Sequence, residues 1–229
     1  MYLENGTLVS QLRNEYGVVV ARTPALRSEC GRLRHQVFCM ETGIFKPGVS
    51  DQESDEFDEH AHHVLLIHRQ SGAAIGTTRI IPSSQNLVPD RFPMTRAFPP
   101  GILRKLPQRS IGEISRFAIS RERRVACGAS MMARLGLMRG LVRLSGELGL
   151  THWCAIMEPK LVRLFQASGV DFKQLGPAVE YFGWRQPVWA DINLLSVQLR
   201  ASNRQIWNYV TQDGTFWNEP TRQSKPESA

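Results

Sequence analysis

The sequence predicts an α/β chain of the α+β kind, with a central mixed sheet flanked by helices. Three observations carry that prediction. Two β-prone apolar runs, Val64–His68 and Ala73–Ile81, are separated by Ser71-Gly72 and read as a hairpin. Met131, Leu135, Met138, Leu141, Val142 and Leu148 fall on or near one helical stripe. Along the whole chain the order reads strand, helix, three strands, helix, strand, helix, then further strands and a closing helix.

The elements follow in turn. Gly17–Thr23 is a short β-branched run and reads as a strand. Pro24 follows it, and Leu26, Leu33, Val37 and Phe38 then recur at helical spacing, which predicts a helix over residues 25–40. Gly43–Asp58 mixes glycine, proline and acids without period and is expected to be a mobile loop. After the hairpin comes an irregular segment, Pro82–Ser110, with prolines at 82, 89, 93, 99, 100 and 107. Its apolar residues from Leu87 through Phe92, Met94 and Phe98 to Leu106 predict that it packs over something greasy. Ile111–Ser120 and Thr151–Met157 read as strands, and Leu161–Ser168 as a short helix ended by Gly169. Val170–Leu175, extended towards Phe182, and Val188–Ile192 read as strands; Leu194–Val210 reads as a helix.

At 229 residues the chain is long for one domain and short for two. One unit over residues 16–212 is expected, with an extension at 1–15 and a flexible tail at 213–229. A chain that is 42% apolar and 21% charged can build a real core. The net charge of +7, from 28 basic and 21 acidic residues, suits an anionic partner. No basic run or basic-aromatic stripe points to nucleic acid. Arg121, Arg123 and Arg124 instead cluster before Gly128-Ala129, where a glycine-containing turn opens a helix and offers N–H groups to a phosphate. The four cysteines form no C-x-x-C pair, no stretch has the length of a membrane span, and the first residues do not read as a secretory signal. A cytoplasmic protein with reduced thiols is expected.

Several charged residues stand where charge is costly. Arg79 lies in the apolar run GTTRII, and Glu113 and Arg116 lie in IGEISRFAIS. Positions three apart in a regular strand face opposite sides, but a β-bulge would bring Glu113 and Arg116 to one face and free a backbone N–H for an oxyanion. Glu53, Asp55 and Asp58 crowd one loop and need cations to answer them. His60, His62 and His63 flank that loop; no metal is assigned to them. The absence of GxSxG, Walker A, GxGxxG and HExxH removes covalent-serine, P-loop, dinucleotide and zincin chemistry from consideration.

The blocks RHQVF (34–38), ESDEFD (53–58), GTTRIIP (76–82) and EISRF (113–117) resemble, in order and style, those of acyl-homoserine-lactone autoinducer synthases. The C-terminal half, with MEPKLVRLF (157–165) and GPAVEYFGWRQP (176–187), is similar to exosortase/PEP-CTERM-associated acyltransferases and long-chain N-acyl amino acid synthases. The resemblance spans residues 16–212. It implies the acetyltransferase-like GNAT fold, with a mixed, mostly antiparallel sheet. It also implies an acceptor-site ion-pair cluster of Arg34, Asp55, Asp58, Arg79, Glu113 and Arg116, beside Phe38 and Phe45. Phe45 stands where autoinducer synthases carry a tryptophan. The pyrophosphate loop is degenerate, with Arg124 one residue too far from Gly128.

The implied activity is N-acyl transfer from an acyl carrier protein or acyl-CoA thioester to a small amine, with no tightly bound cofactor. A homoserine-lactone synthase using S-adenosylmethionine and a non-catalytic acyl-binding module are the alternatives. Glu113, Arg116 and Arg79 are the expected catalytic group. Arg123, Arg124, Gly128 and Ala129 would hold the donor, and Phe92, Phe98, Phe117 and Met157 the acyl chain. An acidic carrier protein suits a basic enzyme.

Overall fold

A computed structural model describes residues 7–84, 88–99, 101–124 and 130–216. Helix α1 (Thr7–Glu15) runs into β1 (Tyr16–Val20), and α2 (Pro24–His35) follows. The Thr23 hydroxyl accepts a hydrogen bond from Leu26 N at 3.3 Å, and Pro24 occupies the first turn, where an N–H has no helical partner anyway. The helix expected over 25–40 changes character after His35. It continues as a wider π-helical turn, Gln36–Glu41, a form that concentrates at functional sites.

Strands β2 (His62–His68) and β3 (Ala74–Pro82) form the expected hairpin, and β4 (Ile111–Ile119) pairs antiparallel with β3. β4 then pairs parallel with β5 (His152–Met157), so the connection must cross over. It does so through the single-turn helix α3 (Arg121–Arg124) and the long helix α4 (Ser130–Glu147). Helix α5 (Pro159–Ala167), strands β6 (Lys173–Gln174), β7 (Val179–Glu180) and β8 (Trp184–Asp191), and helices α6 (Ile192–Ser202) and α7 (Arg204–Thr211) complete the chain. Among the described residues the sheet order is β1-β2-β3-β4-β5-β8-β6, with β7 against the start of β8. The β4–β5 ladder is the single parallel one there, so the sheet is mixed and mostly antiparallel.

Three segments differ from expectation. The strand read from Val170 towards Phe182 is reduced to β6 and β7, two residues each, because bends and turns interrupt it. The helix read over 194–210 breaks at Asn203, which is non-helical and whose side chain accepts from Ile206 N at 3.1 Å to start α7. Trp207 Nε1 donates to Ser196 Oγ at 2.8 Å and folds α7 back on α6. Residues 7–15, read as part of an extension, form a helix that buries Leu12 completely in the main core.

Two apolar layers sandwich the sheet. Val64, Leu66, Ile75, Ile80 and Ile114 face α4, α5 and the closing helices. Glycines let α4 lie close: a Cβ at Gly136 would run into Leu66, and one at Gly140 into Val64 and Val18. Gly140→Leu is therefore expected to cost about 1–3 kcal/mol by overpacking. Urea denaturation checks this, and an unchanged midpoint would refute so close an approach. On the other face, Leu65 and Ala74 pack with Leu33 of α2, while Ile81, Ile111 and Cys154 pack beneath Phe92, Met94, Leu103 and Leu106. The greasy irregular segment thus forms a roof over that end of the sheet. No helix among the described residues is long and apolar enough to cross a membrane.

Candidate active site

On the α2 face three arginines and three carboxylates lock together. Arg34 (α2) donates to Asp58 Oδ1 at 2.8 Å and Oδ2 at 2.7 Å, a two-pronged fork, and also to the Glu53 carbonyl at 2.6 Å. Its Nε lies 2.9 Å from Glu53 Oε2, without the alignment of a hydrogen bond. Arg79 (β3) donates to Asp55 at 2.6 and 2.8 Å, to Asp58 at 2.6 Å, and from Nε to Ser115 Oγ at 2.9 Å. Arg116 (β4) donates to Glu53 Oε1 and Asp55 Oδ2, both at 2.9 Å.

Local chemistry positions the acids. Asp55 caps a short 3₁₀ turn, Glu56–His60, by accepting from Phe57 N, and Asp58 Oδ2 accepts from Asp55 N at 3.0 Å. Phe57 is buried and anchors the turn to the roof cluster; Arg96 from the roof pairs with Glu56 and stacks over Phe57. The loop read as mobile therefore contains a reciprocally capped turn.

Burial alone would raise the Asp58 carboxyl, but the hydrogen bonds and charges of Arg34 and Arg79 reverse this and hold it far below the ordinary range. Asp55 is likewise lowered: burial opposes ionisation, and Arg79 and Arg116 outweigh it. His63, opposite Arg79 in the β2–β3 register, is pushed down to about 4 by burial and the nearby Arg34. It stands neutral at pH 7.

The β3–β4 register slips between Thr77 and Arg79, and Arg116 has φ of 53°. The left-handed backbone marks a bulge in β4. It turns Arg116 onto the face that also carries Ser115 and Glu113.

Glu113 does not join the ion-pair lattice; Glu53, from the same acidic loop, is the third carboxylate. The β4 register explains why. Glu113 lies opposite Ile81 on one side and Cys154 on the other, both members of the apolar roof cluster. Its Oε2 accepts from Met94 N at 3.0 Å, and its Oε1 is buried with no partner. Burial pushes this carboxyl up to about 8, even though the Met94 bond, Arg79 and Arg116 all favour the charged form. A carboxyl titrating near neutrality beside a fixed array of charge is the kind of group that general acid–base chemistry uses.

Just past Glu113 the sheet opens. The β4–β5 ladder runs from Ile111↔His152 to Ile114↔Ala155, after which β4 continues along β3 and β5 along β8. Phe117 lies along the diverging stretch of β4 and meets Phe165 edge-on, with ring centroids 5.7 Å apart.

The other expected site residues are scattered more widely. Phe38 and Phe45 do meet, at 5.6 Å, and Arg116 lies 5.1 Å over the Phe45 ring. Phe182, at a turn tip with φ of 51°, closes on Phe45 at 5.3 Å. The acyl-chain quartet divides between faces: Phe92 belongs to the roof cluster, while Phe117 and Met157 pack on the α4 side. Phe98 is buried in the roof segment. A single pocket made of all four is not formed, because Phe92 and Met157 lie on opposite sides of the sheet. Arg123 is drawn away from a donor role by Glu29, at 2.9 Å, and by the Ala74 carbonyl, at 3.2 Å. The Arg124 side chain, Gly128, Ala129 and Leu87 lie outside the described residues.

Sequence reasoning passed over Glu53 as a lattice member, along with Ser115, the Met94 N–H and Phe182. Glu53 had a signal, since it opens the ESDEFD block. The Met94 contact had none, because it joins residues 19 apart through an irregular loop.

Comparison with known proteins agrees with this architecture. Residues 33–134 match the acetyltransferase (GNAT) domain family. The chain is 28% identical over 159 residues to an acyl-homoserine-lactone synthase of Pseudomonas aeruginosa, covering 67% of this chain and 72% of that protein. Its fold matches the acyl-homoserine-lactone synthase LasI with a TM-score of 0.65 at 20% identity, over 83% of this chain and 96% of that one. FeeM, an N-acyl amino acid synthase from uncultured soil microbes, matches with a TM-score of 0.62 at 17% identity, over 81% and 95%. Sheet order, the partial domain match and sequence similarity together give this chain a GNAT-type fold and a likeness to the acyl-homoserine-lactone synthases.

Proposed function

We propose that the chain transfers a medium- or long-chain acyl group from a thioester, carried by acyl carrier protein or coenzyme A, to the amine of an amino acid or similar small molecule. One observation supports this most: Glu113 is a buried carboxyl, raised to about 8, with an unpartnered oxygen beside the point where β4 and β5 separate.

A thioester is already activated, so no covalent enzyme intermediate is needed. The amine nitrogen attacks the carbonyl, the C–N bond forms, the C–S bond breaks, and the thiol leaves with a proton. The protein must take a proton from the ammonium, align the partners and meet the oxyanion. The ionised form of Glu113, whose share grows as pH rises towards about 8, takes that proton through a water, and a backbone N–H of the bulged 113–117 segment meets the oxyanion. Arg79, fully buried and saturated by Asp55, Asp58 and Ser115, holds the site in shape. Arg116 is more exposed and lies over Phe45, so it is better placed to receive an acceptor carboxylate. The reaction asks for no tightly bound cofactor. An acidic carrier protein fits a chain of charge +7.

Similarity to a homoserine-lactone synthase favours a second reading, in which S-adenosylmethionine is the acceptor and the product lactonises. Incubating the protein with acyl carrier proteins and acyl-CoAs of varied length, against amino acids and S-adenosylmethionine, separates the two by product mass. N-acyl amino acids are expected. An acyl-homoserine lactone would replace the first reading with the second. Thioester binding without any product would leave only a binding module.

A further inference from the structure

A second feature lies on the opposite face of the sheet from the ion-pair lattice. Between edge strand β1 and helices α1, α4 and α7 is a cavity of about 200 Å³ lined by Arg13, Arg69, Arg139 and Arg143, with Tyr16 and Tyr209. Two of the arginines have carboxylate partners: Arg13 pairs with Asp213 at 2.6 Å, and Arg143 with Glu147 at 2.9 Å. Arg69 and Arg139 meet neutral acceptors among the described residues. Arg69 Nε donates to the carbonyls of Arg13 at 3.0 Å and Tyr16 at 3.2 Å. Arg139 donates to the Tyr209 carbonyl at 2.9 Å and to Gln212 Oε1 at 2.8 Å. Among the described residues, four guanidinium groups are thus answered by two carboxylates.

The walls are aromatic. Arg139 lies over the rings of Tyr209 at 5.2 Å and Phe216 at 5.6 Å, and Arg143 over Phe216 at 5.7 Å. Tyr209 is 1% exposed, and its buried hydroxyl has no hydrogen-bond partner among the described residues. A buried hydroxyl is normally satisfied, and an unsatisfied one calls for an explanation. Packing accounts for part of the arrangement, since Arg139 caps the carbonyl end of α7. It does not account for the idle Tyr209 hydroxyl at a cavity wall, or for the surplus of positive charge. Burial and the neighbouring Arg13 and Arg69 lower Arg139, with Tyr209 and Asp213 opposing in part.

We infer that this cavity is a ligand site, separate from the acyl-transfer site, for a small organic phosphate with one flat apolar group. A phosphate monoester carries close to two negative charges at neutral pH, matching the two guanidinium groups that have no carboxylate among the described residues. Guanidinium forks suit its oxygens, and the Tyr209 hydroxyl supplies a further donor. The aromatic walls fit a single ring. The cavity is smaller than pockets that enclose drug-sized ligands, so a compact molecule fits and a whole coenzyme does not.

Isothermal titration of the full chain with phenyl phosphate, inorganic phosphate and benzoate tests this. Phenyl phosphate is expected to bind saturably and more tightly than either of the others. Tyr209→Phe, which removes only the idle hydroxyl, should weaken it roughly tenfold, the worth of a hydrogen bond to a charged group. Arg139→Gln should weaken it at least as much, while Glu113→Gln should bind as the wild type does, whatever becomes of acyl transfer. Absence of saturable binding, or binding indifferent to Tyr209→Phe, overturns the inference. Benzoate binding as tightly as phenyl phosphate overturns the assignment to phosphate.

Discussion

Glu113→Gln is expected to lower acyl transfer by about 10²–10⁴-fold, the usual contribution of a positioned general base, while making the protein more stable. The two effects share one cause. Burial raises the Glu113 carboxyl from 4.5 to about 8. Between those values the unfolded chain has released its proton and the folded chain still holds it. Stability from this group is full below about pH 4.5 and is lost progressively as pH rises through about 8. Glutamine cannot ionise, so the variant escapes the loss. Its advantage should grow with pH across that window and reach about 3 kcal/mol near pH 7, at about 1.4 kcal/mol per pKa unit. Chemical denaturation of both proteins at several pH values between 5 and 8, alongside a turnover assay, measures the two consequences together. A variant that is inactive and less stable would show only a damaged fold. A variant that turns over normally would remove Glu113 from the chemistry.

The second large effect is expected at Arg79. This side chain is completely buried and bridges Asp55, Asp58 and Ser115. Arg79→Met deletes the cation and leaves two mostly buried carboxylates short of a partner, which should cost about 3–5 kcal/mol. For a domain of this size that is a Tm fall on the order of 10 °C. Arg79→Lys should recover little, because a single ammonium cannot span both carboxylates and the Ser115 hydroxyl as a planar fork does. The carboxylates give the loss a pH signature. Asp55 and Asp58 are held below their ordinary values in the folded state. Their stabilisation is present above the ordinary carboxylate range and disappears as pH falls through the depressed values. The stability gap between the Arg79→Met protein and the wild type should therefore be widest near neutral pH and narrow as pH falls through the carboxylate range. Thermal melts from pH 7 down to pH 3 provide the check, and a gap that does not narrow would show that Arg79 does not hold these carboxylates ionised.

Much of this molecule can be read along the chain. The β2–β3 hairpin, the α4 stripe and the alternation of strands and helices depend on local periodicity and turn residues, which neighbours in sequence control. The charges embedded in apolar runs were equally legible as a problem: Arg79 and Glu113 could not sit in strands without an answer. The order of the RHQVF, ESDEFD, GTTRIIP and EISRF blocks pointed to the same fold.

Which charge answers which was decided only in three dimensions. Glu53 rather than Glu113 completes the lattice because a capped turn folds the acidic loop over the sheet, while the β4 register sends Glu113 under the roof. The bulge at Arg116 is a backbone event that its residue type does not announce. The expected acyl quartet does not converge because Phe92 sits in the irregular roof on one face of the sheet while Phe117 and Met157, on strands, pack on the other, and the path of that roof is set by tertiary packing. The arginine-lined cavity gathers residues 13, 69, 139 and 209 from four distant elements, so no window of sequence contains it. Local sequence chooses the elements; long-range packing chooses the neighbours, and the candidate chemistry of this protein resides in those neighbours.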